Sequence, residues 1–220
     1  MSSLRDRMSS VFDRSDRKTP RNARKSVMNS SFGLETNSSY ENEYFQFISM
    51  KGKLGTVLTA VSHLGLSALL LGEDREELER DLRREFPDEK PVSGGYGLEG
   101  IGSRIVSFTE DPRIGVSLPL DVRGTMFQKR VWEELRSIPL GEQRTYSEVA
   151  GRVGIPGDSF AIAQACLANR IAIAIPCHRV IADDGEIGVY RWGRERKRAL
   201  LRAEANAQFG SKCPHHAFRD

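Results

Sequence analysis

The 220-residue sequence predicts an α/β fold in two parts, a small sheet-and-helix half followed by a mainly helical half with a helix-turn-helix. Three observations predict it. Apolar runs separated by glycines read as strands in the first half. A charged run with leucines at four-residue spacing reads as a helix beside them. In the second half, two capping boxes followed by a glycine-proline turn mark the starts of successive short helices.

Taken in order, Tyr44, Phe45, Phe47 and Ile48 form the first apolar run; Leu54, Val57, Leu58, Ala60 and Val61 the second; and Leu64, Leu66, Leu69, Leu70 and Leu71 the third. Gly52, Gly55, Gly65 and Gly72 punctuate them as turns. From Asp74 to Phe86, Leu78, Leu82 and Phe86 line one face of a helix that Pro87 stops. Gly94 to Gly102 reads as a loop, Ile105 to Thr109 as helix or strand, and Val116 to Val122, around Pro119, as an extended crossing segment. A boundary near 122 separates a domain over 43–122 from one over 123–207.

In the second domain Thr125 and Gln128 have capping-box spacing, and Phe127, Val131 and Leu135 line the helix that Pro139 and Gly141 end. Thr145 and Glu148 open a short helix through Val153, Gly154 to Gly157 is a tight turn, and Asp158 caps a helix from Ser159 to Ala168. Two short helices so joined suggest a helix-turn-helix, although helices that bind only each other show the same pattern.

Residues 1–42 are rich in Ser, Arg, Asn and Asp and read as a disordered basic tail. Its cluster of Arg14, Arg17, Lys18, Arg21, Arg24 and Lys25 is either simply solvated or adds weak nonspecific DNA affinity. Residues 208–220 read as a second tail. With 39% hydrophobic residues and no apolar run long enough to span a bilayer, the composition argues against membrane insertion and secretion, and a cytoplasmic monomer is expected. Cys166, Cys177 and Cys213 are too few and too widely spaced for a disulfide framework or a zinc quartet, which leaves reduced thiols. Cys213, His215 and His216 sit in the terminal tail with no fourth ligand nearby, so no metal is expected. The net charge of +3 permits contact with phosphate backbones without demanding it.

Ile171 to Ile181 is the stretch with most chemistry. An apolar, strand-like run leads to Pro176 and then Cys177 beside His178 and Arg179. A thiol reacts as its thiolate, so a cysteine near an imidazole and a guanidinium is better poised than one in an apolar core. A buried small residue is the alternative, since cysteine is among the most buried residue types. Glu204 lies four residues after Leu200 and three after Leu201, on the apolar face of a C-terminal helix, where a carboxylate needs a buried partner. The alternative for Glu204 is a surface pairing with Arg198 or Arg202.

Pro176-Cys177-His178-Arg179-Val180 resembles the active-site signature of the O6-alkylguanine-DNA alkyltransferase family, especially its bacterial Ada branch. The run Gly124 to Arg136, Thr145-Tyr146, Ala168-Asn169 and Tyr190-Arg191-Trp192-Gly193 fall at the family's spacing, and Leu118 to Asp121 is more weakly similar. The resemblance implies a ribonuclease-H-like first domain and an alkyltransferase DNA-binding and active-site second domain. It implies DNA repair by single-turnover transfer of an alkyl group from O6-alkylguanine to Cys177, without a cofactor. His178 would take the thiol proton through a bridging water and Glu204 would orient that histidine. Tyr146 would donate to the extruded guanine, Tyr190 would wall the pocket, and Val189 would set its width. Asn169, a helix cap by its position, would tie the helix-turn-helix to the reactive loop, and Arg179 would buttress that loop.

The partner implied is double-stranded DNA containing O6-alkylguanine, entered through the minor groove with the target base flipped out. Phe160, Ala161, Ala163 and Gln164 are the residues expected at the DNA, with Ala161, Ala163 and Ala165 small enough for close approach. The family's arginine finger lies seventeen positions before the cysteine, and here that position is Phe160. An apolar ring can wedge between bases but supplies no charged hydrogen bond, so retained transfer chemistry on small substrates is expected, with weakened DNA affinity or slower flipping. A noncatalytic lesion-binding protein and a plain helix-turn-helix regulator are the rival readings.

Overall fold

A computed structural model describes residues 45–95 and 97–210. Both expected tails, apart from residues 208–210, lie outside the described residues, as do Cys213, His215 and His216. The fold is mixed α/β. Strands β1 (Gln46–Gly52), β2 (Gly55–Ser62) and β3 (Gly65–Gly72) form an antiparallel meander. A two-residue strand, β4 (Val92–Ser93), runs parallel to β1, giving the order β3-β2-β1-β4. The glycines bound the strands, and the apolar residues of β2 and β3 are almost wholly buried.

Helix α1 (Arg75–Glu85) starts where Asp74 accepts from the amide of Glu77, and its buried Leu78 and Leu82 pack on β3 and β2. Helix α2 (Leu98–Glu110) begins inside the expected loop, which corrects that reading, and takes Ile105 to Thr109 as helix, one of the two alternatives left open. Its start has no capping side chain, only Gly97 in a left-handed conformation. The signal is tertiary instead: a Cβ on Gly102 would stand 2.9 Å from Ile48 and 2.8 Å from Met50, so glycine permits close contact with β1.

The extended segment around Pro119 then pairs in parallel with the edge of β3, at Leu66 and Leu120. Leu66 N donates to Pro119 O (2.8 Å) and Asp121 N to Leu66 O (2.9 Å). Gly65 makes room for this pairing, at φ +135° with any Cβ only 2.2 Å from the carbonyl oxygen of Pro119. Asp121 accepts from Ser62 (2.8 Å), Ser67 (3.0 Å) and Arg123 (2.9 Å), which fixes the end of the crossing.

Both capping boxes are formed. Thr125 and Gln128 open α3 (Met126–Arg136), and Thr145 and Glu148 open α4 (Tyr146–Val153). Gly154, in a left-handed conformation, ends α4, and Asp158 caps α5 (Ser159–Leu167) by accepting from Ala161 N. Trp132 of α3 donates to Ala165 O (2.8 Å), locking α3 to α5. Strand β5 (Arg144–Thr145) pairs in parallel with β6 (Val180–Ile181), and α6 (Arg194–Gly210) closes the described chain. One apolar cluster runs through both halves. Among the described residues, no helix is long and apolar enough to cross a membrane.

Gly65→Ala places a methyl group against backbone that cannot retreat. It should lower unfolding free energy by about 2 kcal/mol or more. A urea midpoint equal to wild type would show that the crossing does not need the glycine.

Candidate active site

The apolar run before Cys177 is not a strand, which corrects the sequence reading. Only its first part pairs with β3, where Leu69 N donates to Arg170 O and Ala172 N to Leu69 O, both at 2.9 Å. Beyond that it winds into tight turns, with Ala174 N donating to Ala172 O (2.6 Å) and Ile175 N to Ile171 O (3.1 Å). The run is apolar because Ile171, Ala172, Ile173 and Ile175 are all buried, a pattern that periodicity cannot distinguish from a central strand. Ile173 takes φ +66°, a left-handed conformation that costs a β-branched residue about 1–3 kcal/mol.

Asn169, just beyond α5 and fully buried, holds this wound segment. Its Oδ1 accepts from Ile171 N (2.8 Å), and its Nδ2 donates to Ile175 O (2.9 Å) and to Sγ of Cys177 (3.2 Å). Cys177 opens a short 3-10 turn (Cys177–Arg179) and is 2% exposed. Burial pushes its thiol up to about 11, against the opposing pull of the Asn169 hydrogen bond and the Lys197 charge.

Neither His178 nor Arg179, the two residues after Cys177, is spent on the thiol. His178 is fully buried and donates from Nε2 to Glu204 Oε1 at 2.7 Å. Arg179 donates to the same carboxylate from Nε (2.9 and 3.1 Å) and a terminal nitrogen (2.9 Å), and to Ile138 O at 2.5 Å. The backbone amide of Gly141 completes the set at 3.1 Å. Burial alone would raise the Glu204 carboxyl, but the His178 and Arg179 hydrogen bonds and charges outweigh it and bring it down to about 2.

An ionised carboxylate only accepts, so Nε2 of His178 carries the proton. Burial lowers the imidazole below its ordinary value, which keeps it neutral and leaves a lone pair on Nδ1. Nδ1 is buried and has no hydrogen-bond partner among the described residues. An unpaired buried acceptor beside a cysteine is the kind of group that needs a functional explanation.

Tyr146, at the start of α4, meets the loop before Tyr190. Its hydroxyl donates weakly to Val189 O (3.5 Å), and burial raises its ionisation so that it stays a donor. Tyr190 stands edge-on to His178 (6.5 Å between centroids) and to Trp192 (5.2 Å), its hydroxyl buried without a partner among the described residues. Val189 contributes its carbonyl to the site, while the residue is 51% exposed. Phe160 is 73% exposed on α5, with Gln164 exposed one turn on and Ala161 and Ala163 half-buried between. The structure thus gathers Cys177, His178, Asn169, Glu204, Arg179, Tyr146 and Tyr190, and sets Phe160 and Gln164 on an outer face of α5.

Lys197 escaped sequence reasoning. Fully buried, it donates to Val180 O (2.5 Å) and Val189 O (3.3 Å), and burial brings it down to about 8. The signal was present, because Lys197, Leu200 and Glu204 are spaced three and four apart on one helix face. Among the described residues, no cluster of His, Cys, Asp and Glu is arranged to hold a metal ion.

The site is thus a buried thiol held by an asparagine, next to a histidine oriented by a carboxylate. Residues 126–206 match the family model of the 6-O-methylguanine DNA methyltransferase DNA-binding domain. The chain is similar to the bifunctional transcriptional activator/DNA repair enzyme Ada of Escherichia coli K12, 39% identical over 165 residues, covering 75% of this chain and 47% of that protein. It thus spans about half the length of that relative. To the inducible methylated-DNA--protein-cysteine methyltransferase of Bacillus subtilis 168 it is 36% identical over 140 residues, covering 64% of this chain and 78% of that one. The crystal structure of Mycobacterium tuberculosis O6-methylguanine methyltransferase superimposes with a TM-score of 0.60 at 32% identity, covering 77% of this chain and 95% of that one. That of Mycobacterium tuberculosis OGT in complex with DNA does so at 0.59 and 32%, covering 74% and 94%. The chain belongs to the O6-methylguanine-DNA methyltransferase family.

Two outcomes test this geometry. With its thiol near 11, Cys177 should carbamidomethylate with iodoacetamide at a rate still rising beyond pH 9, the ordinary thiol value; a plateau by then would contradict the buried, protonated thiol. Glu204 has a folded value below its ordinary 4.5, so its stabilisation is complete above that value and is lost as pH falls toward about 2. Glu204→Gln should flatten the loss of stability over that range and cost about 3–5 kcal/mol at pH 7, measured by urea unfolding.

Proposed function

We propose that this chain repairs DNA by transferring an alkyl group, typically methyl, from O6 of guanine to Sγ of Cys177, once per molecule. The observation that carries this reading is the Cys177 thiol on Asn169, adjoining a neutral His178 whose Nε2 is committed to Glu204. Nδ1 of His178 takes the thiol proton through one bridging water, for which a buried unpaired acceptor is a suitable anchor. Sγ then attacks the alkyl carbon, so that an S–C bond forms as the C–O6 bond breaks and the electron pair stays with guanine. The Tyr146 hydroxyl donates to the departing base, and the proton taken by His178 returns to guanine through solvent. The thioether has no good leaving group, which makes the transfer irreversible.

The alkylated oxygen lies inside the duplex stack, so the base has to be flipped out to meet the thiol. In this reading α4 and α5 act as a helix-turn-helix, with α5 in the minor groove and Ala161 and Ala163 allowing close approach beside Gln164. Asn169 links the end of α5 to the thiol and so couples DNA engagement to chemistry. Phe160 enters the stack as an apolar wedge in the place of a charged finger. Residues 43–122 serve as a ribonuclease-H-like support to the reacting domain at 123–207. The substrate is double-stranded DNA, the protein acts as a cytoplasmic monomer, and no cofactor enters the reaction.

Intact-mass analysis after incubation with a duplex containing one O6-methylguanine should show one methyl group gained on the protein and none on Cys177→Ala. Phe160→Arg should bind the duplex about tenfold more tightly through one added charged contact, with the methyl still transferred. Tight binding to the modified duplex with no added mass would instead support lesion recognition without transfer.

A further inference from the structure

The two chain segments that flank the thiol, one carrying Asn169 and the other Tyr190, are each followed at once by an arginine, and both arginines end on the same carboxylate. Arg170 Nε donates to Glu85 Oε2 at 2.7 Å, and Arg191 donates from a terminal nitrogen to Glu85 Oε1 at 2.5 Å. Glu85 is the last residue of α1, on the sheet side of the molecule and some hundred residues away in sequence. From its other terminal nitrogen Arg191 reaches the carbonyls of Leu167 (3.4 Å) and Asn169 (3.3 Å) at the end of α5. The Arg170 guanidinium also lies over the ring of Phe86, 5.1 Å from its centroid.

We propose that Glu85 is a positioning residue for the transfer reaction, acting through Arg170 and Arg191 to hold Asn169 and Tyr190 at a fixed spacing around Cys177. The inference rests on the proposed alkyl transfer for its rate effect. Its structural part stands without it.

The geometry supports more than general cohesion. The carboxylate is only 19% exposed, and it is held ionised because its two arginine partners outweigh the effect of burial. The link from Glu85 to the thiol contains three polar contacts: carboxylate to Arg191, Arg191 to the Asn169 carbonyl, and Asn169 Nδ2 to Sγ. The wound segment starting at Arg170 includes the strained Ile173, so it needs restraint from outside itself. The β3 pairing supplies that restraint at Arg170 O and Ala172 N, and the Glu85 pair supplies it at the Arg170 side chain. Losing the carboxylate leaves two partly buried guanidiniums facing each other without a counter-charge.

The test compares wild type, Glu85→Gln and Arg191→Lys, with Arg84→Gln as control, since Arg84 belongs to an exposed pair with Asp81 on the same helix. At a temperature where circular dichroism shows all four, and the double variant of Glu85→Gln with Arg191→Lys, folded, two rates are measured. One is single-turnover methyl transfer from a saturating O6-methylguanine duplex; the other is iodoacetamide labelling of Cys177. A misplaced nucleophile should slow transfer about ten- to hundredfold in Glu85→Gln and Arg191→Lys, with the Kd for DNA unchanged. The double variant should be no slower than the worse single one, because both cut one link. Labelling of Cys177 should rise in the same variants as the loop loosens, and Arg84→Gln should behave as wild type. A lower melting temperature with both rates unchanged would make Glu85 a purely structural residue and overturn the proposal. If wild type transfers no methyl group, the proposed function fails, and the labelling rates still decide whether Glu85 holds the thiol's surroundings.

Discussion

The arrangement around Cys177 depends on one buried carboxylate. Glu204 accepts hydrogen bonds from His178, Arg179 and the amide of Gly141, which together bring α6, the 3-10 turn holding the cysteine and the segment after α3 to a single point. A buried negative charge is tolerated only when paired and hydrogen-bonded, and here every donor is itself part of the site. The same contacts assign the imidazole proton to Nε2 and leave Nδ1 available. Orientation of the imidazole and cohesion of the fold are therefore one interaction.

Around that point the sheet half acts as a clamp. The edge of β3 takes the crossing segment at Pro119 and Asp121 and the reactive segment at Arg170 and Ala172, so an edge open to further pairing is used by the chain itself. Asn169 converts this anchoring into a position for the thiol, since it satisfies a backbone amide and a backbone carbonyl and still reaches Sγ. Lys197 closes the far side by gathering the carbonyls of Val180 and Val189, and its charge opposes the rise that burial imposes on the thiol. Burial outweighs that pull and keeps the thiol protonated at rest.

Local rules were legible where one residue type carries the signal. Thr125, Thr145, Asp158 and Pro87 mark helix boundaries because a cap or a missing amide is a property of that residue and its near neighbours. Glu204 was placed on the apolar face of its helix by spacing alone. The misreadings share one cause, in that the deciding contacts are distant in sequence. Helix α2 packs on β1 where Gly102 meets Ile48 and Met50, and the run from Ile171 to Ile175 winds because Asn169 takes its polar groups. Lys197 is one of several cations in α6, and Glu85 one of many charges in α1. What each pairs with is a matter of tertiary structure, so their burial could not be read from charge pattern alone.

The central claim is that Glu204 fixes His178 as a neutral imidazole with its proton on Nε2 and a free lone pair on Nδ1. Nitrogen-15 chemical shifts of His178 test it most directly. At pH 7 the account predicts one protonated nitrogen, Nε2, and one bare nitrogen, Nδ1, with the ring still neutral at its ordinary value of 6.5. An imidazolium at pH 7, or a proton on Nδ1 with Nε2 bare, would contradict it and remove the base from the proposed reaction.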